Sequence, residues 1–117
     1  MAEPTVVQVF GTGAARLASG ATTPEAGLFI PDTALTAAGL DSPPTATAEG
    51  HLVAINLGAQ SYLTQANFDS NIDQSIVVEK GFSSFVTRTD GEQYRTDQLT
   101  LTKAKIDNGG VINPNDY

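Results

Sequence analysis

Few side chains in this chain could carry a reaction, and they lie far apart in sequence. His51 is the only histidine among 117 residues and stands two positions after Glu49, a spacing that allows a carboxylate and an imidazole to pair. A hydrolytic triad would also need a positioned nucleophile. Cysteine is absent, and serine and threonine are so widely spread that none is singled out. The simpler reading is a histidine on the surface or in an interface. The run Asp69-Ser70-Asn71-Ile72-Asp73 opens like a calcium loop, in which alternate oxygen ligands face one cation. Its sixth position is Gln74 where glycine is needed, and its twelfth is Lys80 where a bidentate glutamate is needed. A turn whose Asp and Asn side chains satisfy nearby amides fits better.

Gly11-Thr12-Gly13 lacks the third glycine and the following helix of a nucleotide-binding loop. Two of the thirteen acids could act as a glycosidase pair, yet their spacing selects none. Tyr62, Phe68 and Tyr94 could line a sugar site, although tryptophan, the best stacking residue, is missing. The residues therefore nominate no catalytic group, no cofactor and no metal ligand. They leave assembly or binding as the expected work of the chain.

Charge narrows the partners. The net charge is −7; residues 1–79 carry eight acids against Arg16 alone, and residues 80–117 carry five of each sign. Nucleic acid and anionic membrane both require clustered Lys and Arg, so neither is expected. The N-terminal residues show no secretory leader pattern and no apolar run is long enough to span a bilayer, which predicts a chain that is not exported by the general secretory route. Ala and Thr together supply a quarter of the residues, fifteen and fourteen respectively. Alanine buries little area, so the core must be small and subunit contacts are expected to supplement it.

The elements that would position these groups read as mostly β. Residues 5–10 are β-branched and aromatic and predict a strand. Residues 11–27 contain four glycines and one large aliphatic residue, Leu17, and predict a loop or extended arm. Asp32 or Thr33 as N-cap and Gly39 as stop predict a two-turn helix. Alternation in 51–57 predicts a central strand, and Ser75–Glu79 a further strand. Asp90-Gly91 predicts a type I′ hairpin over 82–104, with Thr87 facing Tyr94, Phe85 facing Thr96 and Phe82 facing Leu99. The fold class expected is mainly β: a small antiparallel β-sandwich or barrel-like body with one short helix and extended N- and C-terminal arms. Its organisation is an N-terminal strand and arm over 1–27, a β-rich body over 28–106 and a tail over 107–117.

The segments FGTGAARLASGATTPEAG, TRTDGEQYRTDQLTLTKAK and IDNGGVINPNDY together resemble the small decoration or cement proteins of tailed-bacteriophage heads. FSSFVTRTDGEQYRTDQLTL is also similar to small proteins of cyanobacteria and their phages. The resemblance implies a virion protein on the capsid exterior, with a β-rich body, a homo-oligomer such as a trimer, and terminal arms that clamp the major capsid protein or a similar shell protein by β-augmentation. Interface residues expected on that basis are Val6, Val7, Val9 and Phe10 near the N-terminus, with Val111, Ile112 and Tyr117 in the tail. The alternative function is a soluble module binding a glycan or small ligand through Tyr62, Phe68 and nearby acids. An enzyme using carboxylates alone ranks below both.

Overall fold

The structure is a computed structural model and describes residues 3–10, 12–107 and 109–117. It corrects the expected β-sandwich or barrel. The chain is mixed α/β, 34% helical, with four α-helices and one two-stranded antiparallel hairpin among the described residues. Two units divide it, Met1–Gly58 and Ala59–Tyr117.

The first unit begins with helix α1, Val6–Phe10, where the sequence predicts a strand. A capping box overrides the β-branched run: the Gln8 amide donates to Thr5 Oγ1 at 3.1 Å, and the Thr5 amide donates to Gln8 Oε1 at 2.8 Å. Residues 14–30 form no helix or strand, as their glycine content predicts. Helix α2, Asp32–Ala37, falls where expected, although its N-cap is Pro31 and no side chain caps it. Its end is a Schellman motif, with Gly39 N donating to Thr36 O and Leu40 N to Leu35 O. A 3₁₀ turn at Pro43–Thr45 leads into helix α3, Ala48–Tyr62.

Helix α3 replaces the central strand predicted over 51–57. Thr47 decides the outcome: its Oγ1 accepts from the Gly50 amide at 3.0 Å, while its carbonyl accepts from the His51 amide. Capped in this way, the following Ala-rich run winds, and Ala48 and Ala54 become buried while Val53 and Leu57 stay exposed. Leu35 and Pro43 complete the buried set of this unit.

In the second unit, Thr64 caps helix α4, Gln65–Ser70, by accepting from the Asn67 amide. The hairpin follows as β1, Ile76–Thr87, and β2, Gln93–Lys103. Its strands extend further than expected, because the segments 75–79 and 82–89 join into one strand across a bulge between Lys80 and Ser83. Gly81 permits the bulge: a Cβ there would lie 2.9 Å from Gln98 Cβ.

The pairing differs by one residue from the expected one near the turn, with Val86 opposite Tyr94 and Phe85 opposite Arg95, and by two past the bulge, where Lys80 rather than Phe82 faces Leu99. The turn causes the first shift. Asp90 does not adopt positive φ, and only Gly91 does, at 81°. The loop therefore has three residues between Arg88 and Glu92, and these two close it: Gly91 N donates to Arg88 O and Arg88 N donates to Glu92 O.

In this second unit burial is confined to the base of the hairpin. Val77 and Val78 are 5% and 4% exposed, although they lie on opposite faces of β1. Val78 N donates to Leu63 O, Gln74 Nε2 donates to Thr64 O and Ile76 O, and α4 packs on β1. From Ser83 onward both strands are exposed on both faces, apart from Lys103 at the very end of β2. No side chain among the described residues is completely buried, and the chain is loosely packed. Among the described residues no helix is long and apolar enough to cross a membrane.

Candidate interaction surface

The exposed ribbon carries a set of side-chain contacts on both of its faces. On one face Ser83 Oγ donates to Asp97 Oδ1 at 2.6 Å, and Arg95 Nε donates to the same oxygen at 2.9 Å. These two donors hold the Asp97 carboxyl below the usual carboxylate range, the Ser83 bond being the larger cause. On the other face the Ser84 and Thr96 hydroxyls meet at 2.6 Å. At the tip the Tyr94 hydroxyl donates to Asp90 Oδ2, and the Arg88 guanidinium sits 5.2 Å from the Tyr94 ring centroid. The Tyr94 bond lowers the Asp90 pKa and raises that of Tyr94 itself. These contacts set twist and register while Phe82, Phe85 and Val86 remain open to solvent.

The ribbon also carries an open edge along β2, whereas the outer edge of β1 is occupied at its base by Leu63 O and Gln74 Nε2. Glu92 O accepts from Arg88 N and Ala104 N donates to Ser75 O, so the even-numbered residues of β2 direct their main-chain groups toward β1. The odd-numbered residues, Gln93 to Lys103, direct theirs outward. Among the described residues no backbone group bonds to them.

Among the residues with chemical potential, His51, Asp69 and Asn71 have partners within their own unit. His51 Nδ1 lies 2.7 Å from Thr47 O, so it carries the proton and donates. Nε2 then accepts from Arg16 Nη2 at 2.6 Å. The same guanidinium grips Asp32 with both arms, at 3.0 and 3.1 Å, which lowers the Asp32 pKa. Glu49, the expected partner of His51, is exposed in the first turn of α3 and makes no hydrogen bond to it. With one ring nitrogen on Thr47 O and the other on Arg16, this imidazole pins the 12–30 segment to α2 and α3.

The calcium-like run behaves as a capped turn. Asn71 Oδ1 accepts from the Asp73 amide, and Asp69 Oδ1 accepts from Gln65 Nε2. No cluster of three His, Cys, Asp or Glu able to hold a metal occurs among the described residues. Tyr62 is exposed at the end of α3, Phe68 is half-buried on α4 and Tyr94 stands at the hairpin tip, so the three do not lie on one element. The glycine pair around Thr12 lies partly outside the described residues, which omit Gly11.

The residues expected at an interface are mostly exposed. On α1, Val7 and Phe10 face solvent while Val6 and Val9 are half-buried. Val111 and Ile112 are exposed in the tail. Tyr117 borders an open depression lined also by Lys103, Lys105 and Asp107. The tail is tied back by Lys105, whose Nζ pairs with Asp116 at 2.8 Å and donates to Val111 O at 3.3 Å. What the sequence reading did not single out is the ribbon surface itself. Its signal was the three-fold recurrence of apolar residues at Phe82, Phe85 and Val86 beside a hairpin turn.

No protein-family model, curated protein or solved structure matches this chain.

Proposed function

We propose that the chain is a non-enzymatic structural protein that decorates a phage head lattice, binding the major capsid protein or a similar shell protein. The observation that carries this reading is the hairpin beyond Gly81. A two-stranded ribbon is marginally stable in water and needs further strands or a covering element. This one leaves Phe82, Phe85 and Val86 in solvent and the outer edge of β2 without a neighbouring strand among the described residues, an arrangement suited to β-augmentation on a larger surface. Exposed Val7 and Phe10 on α1 and Val111 and Ile112 in the tail add further contacts. On a lattice, repeated weak contacts add through effective concentration. The role of α1 is a helix laid on the shell, in place of the extended N-terminal strand expected from sequence.

Co-sedimentation with heads assembled from the shell protein of the same genome tests this reading. Saturable binding is expected, with stoichiometry following the lattice. Phe82→Ser with Phe85→Ser should weaken it by a factor of about ten or more, since burying one such ring contributes roughly 1.5–3 kcal/mol. Deleting residues 1–12 should weaken it further. Absence of binding by the intact chain overturns the proposal. A glycan or calcium ion that raises the melting temperature would favour the ligand-binding module in its place.

A further inference from the structure

We propose that two copies of this chain pair through the outer edge of β2, in antiparallel register about Thr100, to form a continuous four-stranded sheet. The inference does not depend on what lattice, if any, the protein covers. Asp97, Leu99, Leu101 and Lys103 all point to one face of β2, and all four direct their main-chain N–H and C=O outward. This set is its own complement when reversed. With Thr100 opposite Thr100 of a second copy, Leu99 meets Leu101, Leu101 meets Leu99, and Asp97 meets Lys103 at both ends. The odd residues then form the hydrogen-bonded pairs, at Cα separations near 5.5 Å, and the two strands exchange about eight main-chain bonds.

The symmetric registers centred on Leu99 and on Gln98 are worse. Centring on Leu99 sets Arg95 against Lys103, a like-charge pair. Centring on Gln98 sets Asp97 against Leu99 and leaves both charges unmatched. In the Thr100 register Arg95 faces Lys105, which lies beyond the end of β2 and is already neutralised by Asp116.

Three features of the edge suit this occupant. Asp97 uses Oδ1 for both Ser83 and Arg95, and among the described residues Oδ2 takes no hydrogen bond. Leu99 and Leu101 are 36% and 43% exposed, and Leu101 lies opposite buried Val78, so the pairing continues the existing core across the two-fold axis. Lys103 Nζ reaches the outward carbonyl of Leu101 at 3.4 Å, a long contact that a second strand displaces. A third and fourth strand supply what the isolated ribbon lacks.

Such a pairing closes with two copies. Sedimentation equilibrium of the full chain, with amide hydrogen exchange, tests it. A dimer is expected. Exchange at Leu99 and Leu101 should slow as concentration rises, while the inward amides of Thr100 and Thr102 are protected at every concentration. Lys103→Asp should weaken association by a factor of about ten or more, because two attractions become two repulsions. Asp97→Lys should do the same, and the two variants mixed should associate as a heterodimer, since each then supplies the charge the other lacks. A monomer at millimolar concentration, a trimer, concentration-independent exchange at Leu99 and Leu101, or a mixture no tighter than either variant alone overturns the proposal.

Discussion

Val78→Ala should unfasten the hairpin from the rest of its unit, and the cost can be worked from the structure. Val78 is 4% exposed, and with Val77 it makes up the whole buried apolar core of residues 59–117 among the described residues. Removing its two methyl groups forfeits about 0.8 kcal/mol of transfer free energy for each, or roughly 1.6 kcal/mol together. The cavity left behind raises the expected loss to about 2 kcal/mol. A unit of this length has a total stability of only about 3–9 kcal/mol at ordinary per-residue values. The substitution therefore removes between about a quarter and two thirds of it.

Native-state hydrogen exchange at Thr100 and Thr102 reads this directly, since their amides point into the β1 pairing and open only when the hairpin does. Leu101→Ala is the control. Leu101 lies directly across from Val78 but is 43% exposed, so truncation should cost less than Val78→Ala in dilute monomer. If Leu101→Ala proved the more damaging of the two in dilute solution, the assignment of the core to the inner base of the hairpin would be wrong.

Further expectations concern the bulge and the tip. Gly81→Ala should cost about 1–3 kcal/mol because its Cβ would lie 2.9 Å from Gln98 Cβ, and a double-mutant cycle with Gln98→Gly should return a stabilising coupling; independent, additive losses by denaturant unfolding would contradict the close approach. Asp90 and Asp97 have depressed carboxyl pKa values, so their contribution to the hairpin is present above the ordinary aspartate pKa and is lost as pH falls through the folded values. Tyr94 has a raised pKa, so its bond to Asp90 is intact below the ordinary tyrosine pKa and is lost as pH rises through the folded value. Amide shifts of Gly91 and Glu92 followed by NMR should move at both ends of this window; a Tyr94 titrating at or below free tyrosine would refute the bond.

Local rules made the hairpin readable from sequence and the helices harder to see. Asp90-Gly91 marks a turn whatever surrounds it, yet the choice between a two-residue and a three-residue loop depends on whether Asp90 takes positive φ, and the dipeptide alone does not decide this. One residue of error there shifted the register by one as far as the bulge, and the bulge shifted the base of the hairpin by one more. Gly39 ended α2 as expected because a residue free of Cβ strain is what the Schellman turn demands. For α1 and α3 the β-branched and alternating side chains carried the reading, while the deciding groups were the polar ones ahead of them. Thr5 with Gln8, and Thr47 three residues before Gly50, satisfy amides that a strand would have to pair elsewhere. With no neighbouring strand among the described residues to receive either segment, the capped helix is the form that satisfies its own backbone.

The interaction surface was hidden for a related reason. Period-two reasoning assigns Leu99 and Leu101 to a core because a strand normally buries one face. Here α4 packs on β1 and Leu63 O accepts from Val78 N, and among the described residues no strand lies beyond β2. The same period that suggested burial then places Asp97, Leu99, Leu101 and Lys103 in a row whose charge pattern inverts on reversal. A polar Thr100 at the centre, two leucines beside it and opposite charges outside them specify a partner strand as closely as a core pattern specifies burial. On an edge with no neighbouring strand among the described residues, the strand that fits this row is another copy of itself.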